Sequence, residues 1–205
     1  RKIKNNDIIE IEYWRGPKKI NRKFKYSDYK LPITSIYPIY ENIEIDYEVF
    51  GGFIVMELTN NHIEIIGNNI FESVGSYSSI SKRYNNFLSY LDKNNKSTTK
   101  LVITHVFPNS YVQNQKILFN YDIIKTVNGQ KCINLKQYRD SIKKIKSINN
   151  DRFINIETET GTKTVMSLSK ILMEEPKSAK LFKYKLSPLY YELLKKKTKK
   201  TKKTK

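Results

Sequence analysis

Few side chains in this sequence could carry covalent or acid–base chemistry. There are two histidines, His62 and His105, and one cysteine, Cys132. A serine hydrolase needs its nucleophile in a glycine-rich turn, with backbone N–H groups aimed at the oxyanion and a His–acid pair behind it. No Gly-Asn-Ser-Gly-Gly or Gly-Asp-Ser-Gly-Gly run occurs. Ser110 follows Pro108-Asn109 and suits a helix start better than a nucleophile. His62 falls in an expected short helix and His105 in an expected strand, so each reads as a surface or packing residue. Two histidines without clustered acids make a poor zinc site, and a single cysteine gives neither a disulfide nor a Cys-based metal site. No catalytic residue, metal or cofactor is expected.

Charge is the other source of chemistry. The 205 residues carry a formal net charge of +18. The stretch Lys195–Lys205 holds eight lysines and no acid, which leaves +10 for the rest. Such a run cannot bury apolar surface and is expected to be disordered. It could serve as a nuclear or nucleolar address or as a phosphate-directed, salt-sensitive nucleic-acid tether. The plainer reading is a solvated low-complexity tail. Lys, Asn and Ile are abundant throughout, as AT-rich coding produces, so no single Lys is over-read. Aromatics are 12% of the chain, but most sit at periodic, core-like positions, which ranks a nucleic-acid platform last. No stretch approaches the ~18 apolar residues of a membrane span. The start, Arg1-Lys2-Ile3-Lys4, has no Met and no apolar segment behind it, so the expectation is an intracellular piece of a longer polypeptide.

The elements that would position any site follow from periodicity. Residues 7–14 and 20–26 alternate and flank Arg15-Gly16-Pro17-Lys18-Lys19, a β-hairpin over 1–30. Residues 31–50 read as a connector. Gly51-Gly52 then feeds Phe53-Ile54-Val55-Met56-Glu57-Leu58, a short and nearly all-apolar strand, and Thr59-Asn60-Asn61 can cap a helix. Residues 70–92 space their apolar side chains as one or two helices, and 92–100 reads as a loop. From 101 to 168 the order is strand, short helix, strand, Asn128-Gly129 turn, strand, long helix, strand, Gly161 turn and strand. Leu135, Tyr138, Ile142 and Ile145 share one face of the long helix.

That order resembles a PDZ domain of the HtrA/DegP (Deg) serine proteases. The resemblance rests on Val102-Ile103-Thr104-His105-Val106-Phe107-Pro108-Asn109-Ser110, on Leu118-Phe119-Asn120-Tyr121-Asp122-Ile123-Ile124, on Val127-Asn128-Gly129 and on the helix from Leu135 to Ile145. Tyr121 stands where the family has glycine, and a tyrosine at positive φ would be strained. The insertion over 59–100 resembles the second PDZ-like domain of plant-type and microbial-eukaryote Deg proteases. The hairpin over 1–30 then resembles the end of a preceding PDZ domain.

The resemblance implies an α+β fold: a PDZ-like, partly open β-barrel or sandwich with a long helix and a helical insertion, spanning 51–190 and followed by a disordered tail over 191–205. It implies a non-catalytic regulatory, assembly and peptide-binding region of a Deg-type endopeptidase in protein quality control. Partners would be polypeptide C-termini or neighbouring subunits, in a homo-oligomer of the parent protein. Gly51 and Gly52 would form the carboxylate loop, with Phe53, Ile54 and Val55 on the pairing strand and Leu135, Tyr138 and Ile142 on the opposite wall. Two other readings stand beside it. The glycine pair simply opens a buried strand, and the edge is covered by the insertion or by the segment after Ser169. Alternatively, the chain is a stand-alone PDZ-like scaffold with no protease.

Overall fold

The computed structural model describes residues 4, 6–26, 45–65, 87–92, 94–95, 98–145, 147–148 and 151–201. Most of the connector, residues 70–86 of the segment expected to be helical and the last residues of the Lys tail lie outside them, whereas 87–91 are helical, ending in a 3-10 turn at Ser89–Leu91. The chain divides between Leu31 and Pro32 into two units.

The first unit is a two-stranded antiparallel hairpin, β1 (Ile8–Arg15) and β2 (Lys18–Lys25). Arg15 faces Lys18, so the turn is the two residues Gly16-Pro17, with Gly16 at φ 62. Glycine first and proline second is the composition of a type II′ turn, whose twist matches the strands. One face carries Ile9, Ile11, Tyr13, Ile20 and Phe24. The other carries the exposed pairs Glu12–Lys19 at 2.7 Å and Glu10–Lys23 at 3.4 Å, which add little stability.

The second unit is built on one antiparallel sheet. Its strands are β3 (Glu48–Val49), β4 (Phe53–Glu57), β5 (Leu101–Val106), β6 (Ile123–Val127), β7 (Gln130–Lys131), β8 (Ser147–Ile148), β9 (Asp151–Thr158) and β10 (Lys163–Ser167). The order is β10-β9-β6-β5-β4-β3, with β7 on β6 and β8 on β9. Helices that accompany it include α1 (Tyr111–Gln115), α2 (Leu135–Lys143), α3 (Leu168–Phe182) and α4 (Pro188–Thr201), with further helical residues at 60–65 and a 3-10 helix at Ser89–Leu91. Among the described residues the sheet does not close into a barrel. The fold is α+β and PDZ-like, as the sequence implied.

Both faces of the sheet are covered, which is why its strands read as apolar runs instead of alternating. In β5, Leu101 and Ile103 point into the main core with Leu135, Tyr138 and Ile142 of α2, Ile171 and Leu172 of α3, and Leu189 and Leu193 of α4. Val102, between them, points the other way, into a second cluster with Leu58 and with Ile63, Phe87 and Tyr90 of the insertion. Burying each such side chain stabilises by about 1.5–3 kcal/mol. Tyr90 Oη also donates to Glu159, which pairs with Lys100 at 2.5 Å, so the end of the insertion is tied to the β9–β10 turn.

Local signals explain the element ends. Asn134 caps α2 by accepting from the Gln137 amide, while Gln137 reaches back to the Ile133 amide. Ser110 caps α1 by accepting from the Gln113 amide, the helix-start role its sequence context suggested. Two boundaries differ from the sequence reading. β3 and the buried Phe50 lie inside the expected connector, because Phe50 joins the main core. The expected tail from 191 begins inside α4, whose Leu193 is fully buried and whose helix runs to Thr201.

Candidate peptide groove

Gly51 and Gly52 adopt φ values of 76° and 87° and form the two-residue turn of the β3–β4 hairpin. The hairpin is closed by Phe50 N–H donating to the Phe53 carbonyl at 3.2 Å. Only glycine fits the second position. A Cβ there would lie 2.6 Å from Ser110 Cβ, at the start of α1. The Gly52 carbonyl accepts from Phe107 N–H at 2.9 Å, which fixes the turn against the end of β5.

The turn's backbone already holds a carboxylate. Gly51 N–H donates to Glu175 Oε2 at 2.8 Å, and Tyr184 Oη donates to Glu175 Oε1 at 2.9 Å. Glu175 projects from α3 and is almost wholly buried. Burial pushes its acid up to about 7; the two hydrogen bonds oppose that shift, and the neighbouring acids Glu48 and Glu174 add to it.

The strand edge is occupied as well. Glu48 faces Val55 and Val49 faces Ile54, so β3 pairs along the edge of β4 that β5 leaves free. Arg139 of α2 clamps β3 from the other side. Its Nε donates to Glu48 Oε2 at 2.7 Å, its two terminal nitrogens donate to Asp46 at 2.9 and 2.7 Å, and one also reaches the Tyr47 carbonyl at 3.0 Å. A planar guanidinium can serve two carboxylates and a carbonyl at once, as an ammonium cannot. Arg139 in turn holds the Asp46 carboxyl below its ordinary range. Glu48 and Val49 thus run antiparallel to β4, and Asp46, Tyr47 and Glu48 are gripped by Arg139 of α2, at the position an added peptide strand would take.

A family model for the PDZ domain matches residues 39–185. The chain belongs to the PDZ domain family. The match runs from before β3 to beyond Tyr184, so the β3 strand, Glu175 and its partner all lie within the PDZ domain. No curated protein matches the chain.

The residues expected to form the PDZ groove do come together, but as packed core. Phe53, Val55, Leu135, Tyr138 and Ile142 share the main core cluster with Phe50, and all are buried. Gly51 and Gly52 are buried too, and Ile54 alone of the eight is partly exposed. Tyr138 is wholly enclosed, its hydroxyl has no hydrogen-bond partner among the described residues, and burial raises its pKa. Three residues that complete the site carried no clear signal in the sequence. They are Glu48, Glu175 and Arg139.

The histidines are placed as the sequence reading expected, on a helix start and a strand. Thr59 Oγ1 accepts from His62 N–H at 3.4 Å, and His62 Nδ1 accepts from Thr59 N–H at 3.1 Å. That second bond requires an unprotonated Nδ1, and burial lowers the His62 pKa in the same sense. His105 lies opposite Ile54 in β5 and stacks edge-on against Phe107. Among the described residues, no three His, Cys, Asp or Glu side chains cluster to hold a metal, and no helix is long and apolar enough to cross a membrane.

Proposed function

We propose that this PDZ domain is a non-catalytic assembly and regulatory module of a Deg-type serine endopeptidase, not an open receptor for free peptide C-termini. The domain family makes protein recognition the general role. The observation that carries the finer reading is the strand β3. It pairs with β4 at Ile54 and Val55 and is clamped by Arg139, so a peptide would have to displace a strand tethered by a two-residue turn. Such a tether gives β3 a very high effective concentration, which a free peptide must outcompete. Partners are then neighbouring subunits that meet the outer surface of the domain. The Deg assignment rests on the order of the motifs from Val102 to Ile145.

Two measurements on the purified chain test this reading. Sedimentation velocity over a wide concentration range should show self-association, and strictly monomeric behaviour would contradict the homo-oligomeric role. Casein should remain intact on incubation, whereas cleavage abolished by a serine-directed inhibitor would contradict the non-catalytic role.

A further inference from the structure

Glu175 is buried at 2% exposure, and both of its hydrogen-bond donors are neutral: a backbone amide and a phenol. A buried carboxylate without a cation is costly, and an apolar side chain on α3 would avoid that cost. What it meets is the N–H of a glycine pair at positive φ, a backbone concavity suited to anions. Glu175 itself lines a narrow cleft with Glu174, Gly51, Gly52, Ser110, Tyr111, Ile171 and Ser178, of about 10 Å³, on the order of one water.

We propose that the Gly51-Gly52 turn is a carboxylate-binding site and that Glu175 fills it as an internal stand-in for an external carboxylate, which makes α3 the plug of that site. The proposal rests on the PDZ reading of the turn and adds how the site is kept shut. The groups around the plug come from every element packed there: Gly51 from the turn, Glu48 from β3, Tyr138 from α2, Glu174 from α3 itself, Tyr184 after α3, and Tyr190 from α4. Arg139 is engaged by Glu48 and Asp46. Pro176 follows Glu175 directly and has no N–H, so α3 lacks the helical bond from that position. Because burial raises the Glu175 acid to about 7, a proton favours the plugged state, and a rise in pH across neutrality ionises a buried carboxyl that has no cation and loosens the plug.

Glu175→Ala removes a CH₂ and a carboxylate, the outline of an acetate ion, so acetate is the probe. The readout is the Gly51 backbone amide signal by NMR. In Glu175→Ala, acetate should shift that signal saturably, acetamide should not, and the affinity should exceed that of the unaltered chain by about tenfold or more. In the unaltered chain the Gly51 signal should itself titrate near pH 7, and Glu175→Gln should abolish that titration. A folded Glu175→Ala chain whose Gly51 amide ignores acetate would overturn the proposal. So would equal acetate binding by both chains. If Glu175→Ala does not fold, the pH arm decides, and a Gly51 signal that is flat across neutrality in the unaltered chain overturns it. Acetate is too small to need the edge of β4. Failure here therefore leaves the closure by β3 intact, and failure of that closure would appear only with peptides.

Discussion

Two tight turns in this domain use the same backbone device for different ends. Asn128-Gly129 joins β6 to β7 with φ values of 52° and 76°, and Gly51-Gly52 joins β3 to β4 with 76° and 87°. At the first, the surroundings of Gly129 are empty within 4 Å, and the side chain of Asn128 makes the contacts. It donates to the Ser141 carbonyl of α2 and accepts from the Asn155 amide of β9. At the second there is no side chain, and the backbone itself meets Ser110 of α1 and Glu175 of α3. The first turn is a connection. The second is a socket, and glycine is required there both for dihedral freedom and for close approach.

That contrast can be broken at graded cost. The largest effect is expected at the clamp on the socket's own strand. Arg139→Ala leaves Glu48 buried without its cation and should destabilise the domain by about 3–5 kcal/mol in denaturant unfolding. Gly52→Val comes next. It combines a Cβ clash with an unfavourable positive φ and should cost about 3 kcal/mol. Adding Ser110→Gly should recover part of that loss, because the clashing atom is Ser110 Cβ, and no recovery would show that contact to be unimportant. Gly129→Ala, with open space around it, should cost only about 1–2 kcal/mol for its dihedral.

The smallest effect is the pH dependence, because two groups oppose each other. Glu175 has a raised folded-state pKa, so its stability contribution is complete below its ordinary value of 4.5 and is lost as pH rises to about 7. His62 has a lowered one, so its contribution is complete above 6.5 and is lost as pH falls. Thermal melts of the unaltered chain should be nearly flat through this window, whereas those of Glu175→Gln should rise with pH.

Much of the scaffold was legible because local chemistry agreed with the tertiary structure. The Asn128-Gly129 turn, the Ser110 cap and the apolar face of α2 each announce themselves within a few residues. Tyr121 was legible as a conflict, and it does adopt φ 73°, held by its amide donating to the Ile103 carbonyl and by an edge-on contact with Phe87. The closure of the groove was not legible. Glu175 lies 124 positions from Gly51, and Arg139 lies 91 from Glu48, so nothing in either neighbourhood reveals the pairing. β3 is only two residues long, too short for periodicity to register, and its acid looks solvent-facing until Arg139 is seen above it.

The closed edge of β4 is the centre of this account, and a direct measurement bears on it. The intact chain can be titrated with apolar peptides bearing free C-termini while the backbone amides of Gly51, Ile54 and Val55 are followed by NMR. If β3 and Glu175 hold the groove shut, none of these signals shifts saturably, and the Arg139→Ala chain, where it remains folded, binds more than the unaltered one. Saturable shifts at Ile54 and Val55 in the unaltered chain would show a groove that opens to peptides, and would contradict the account.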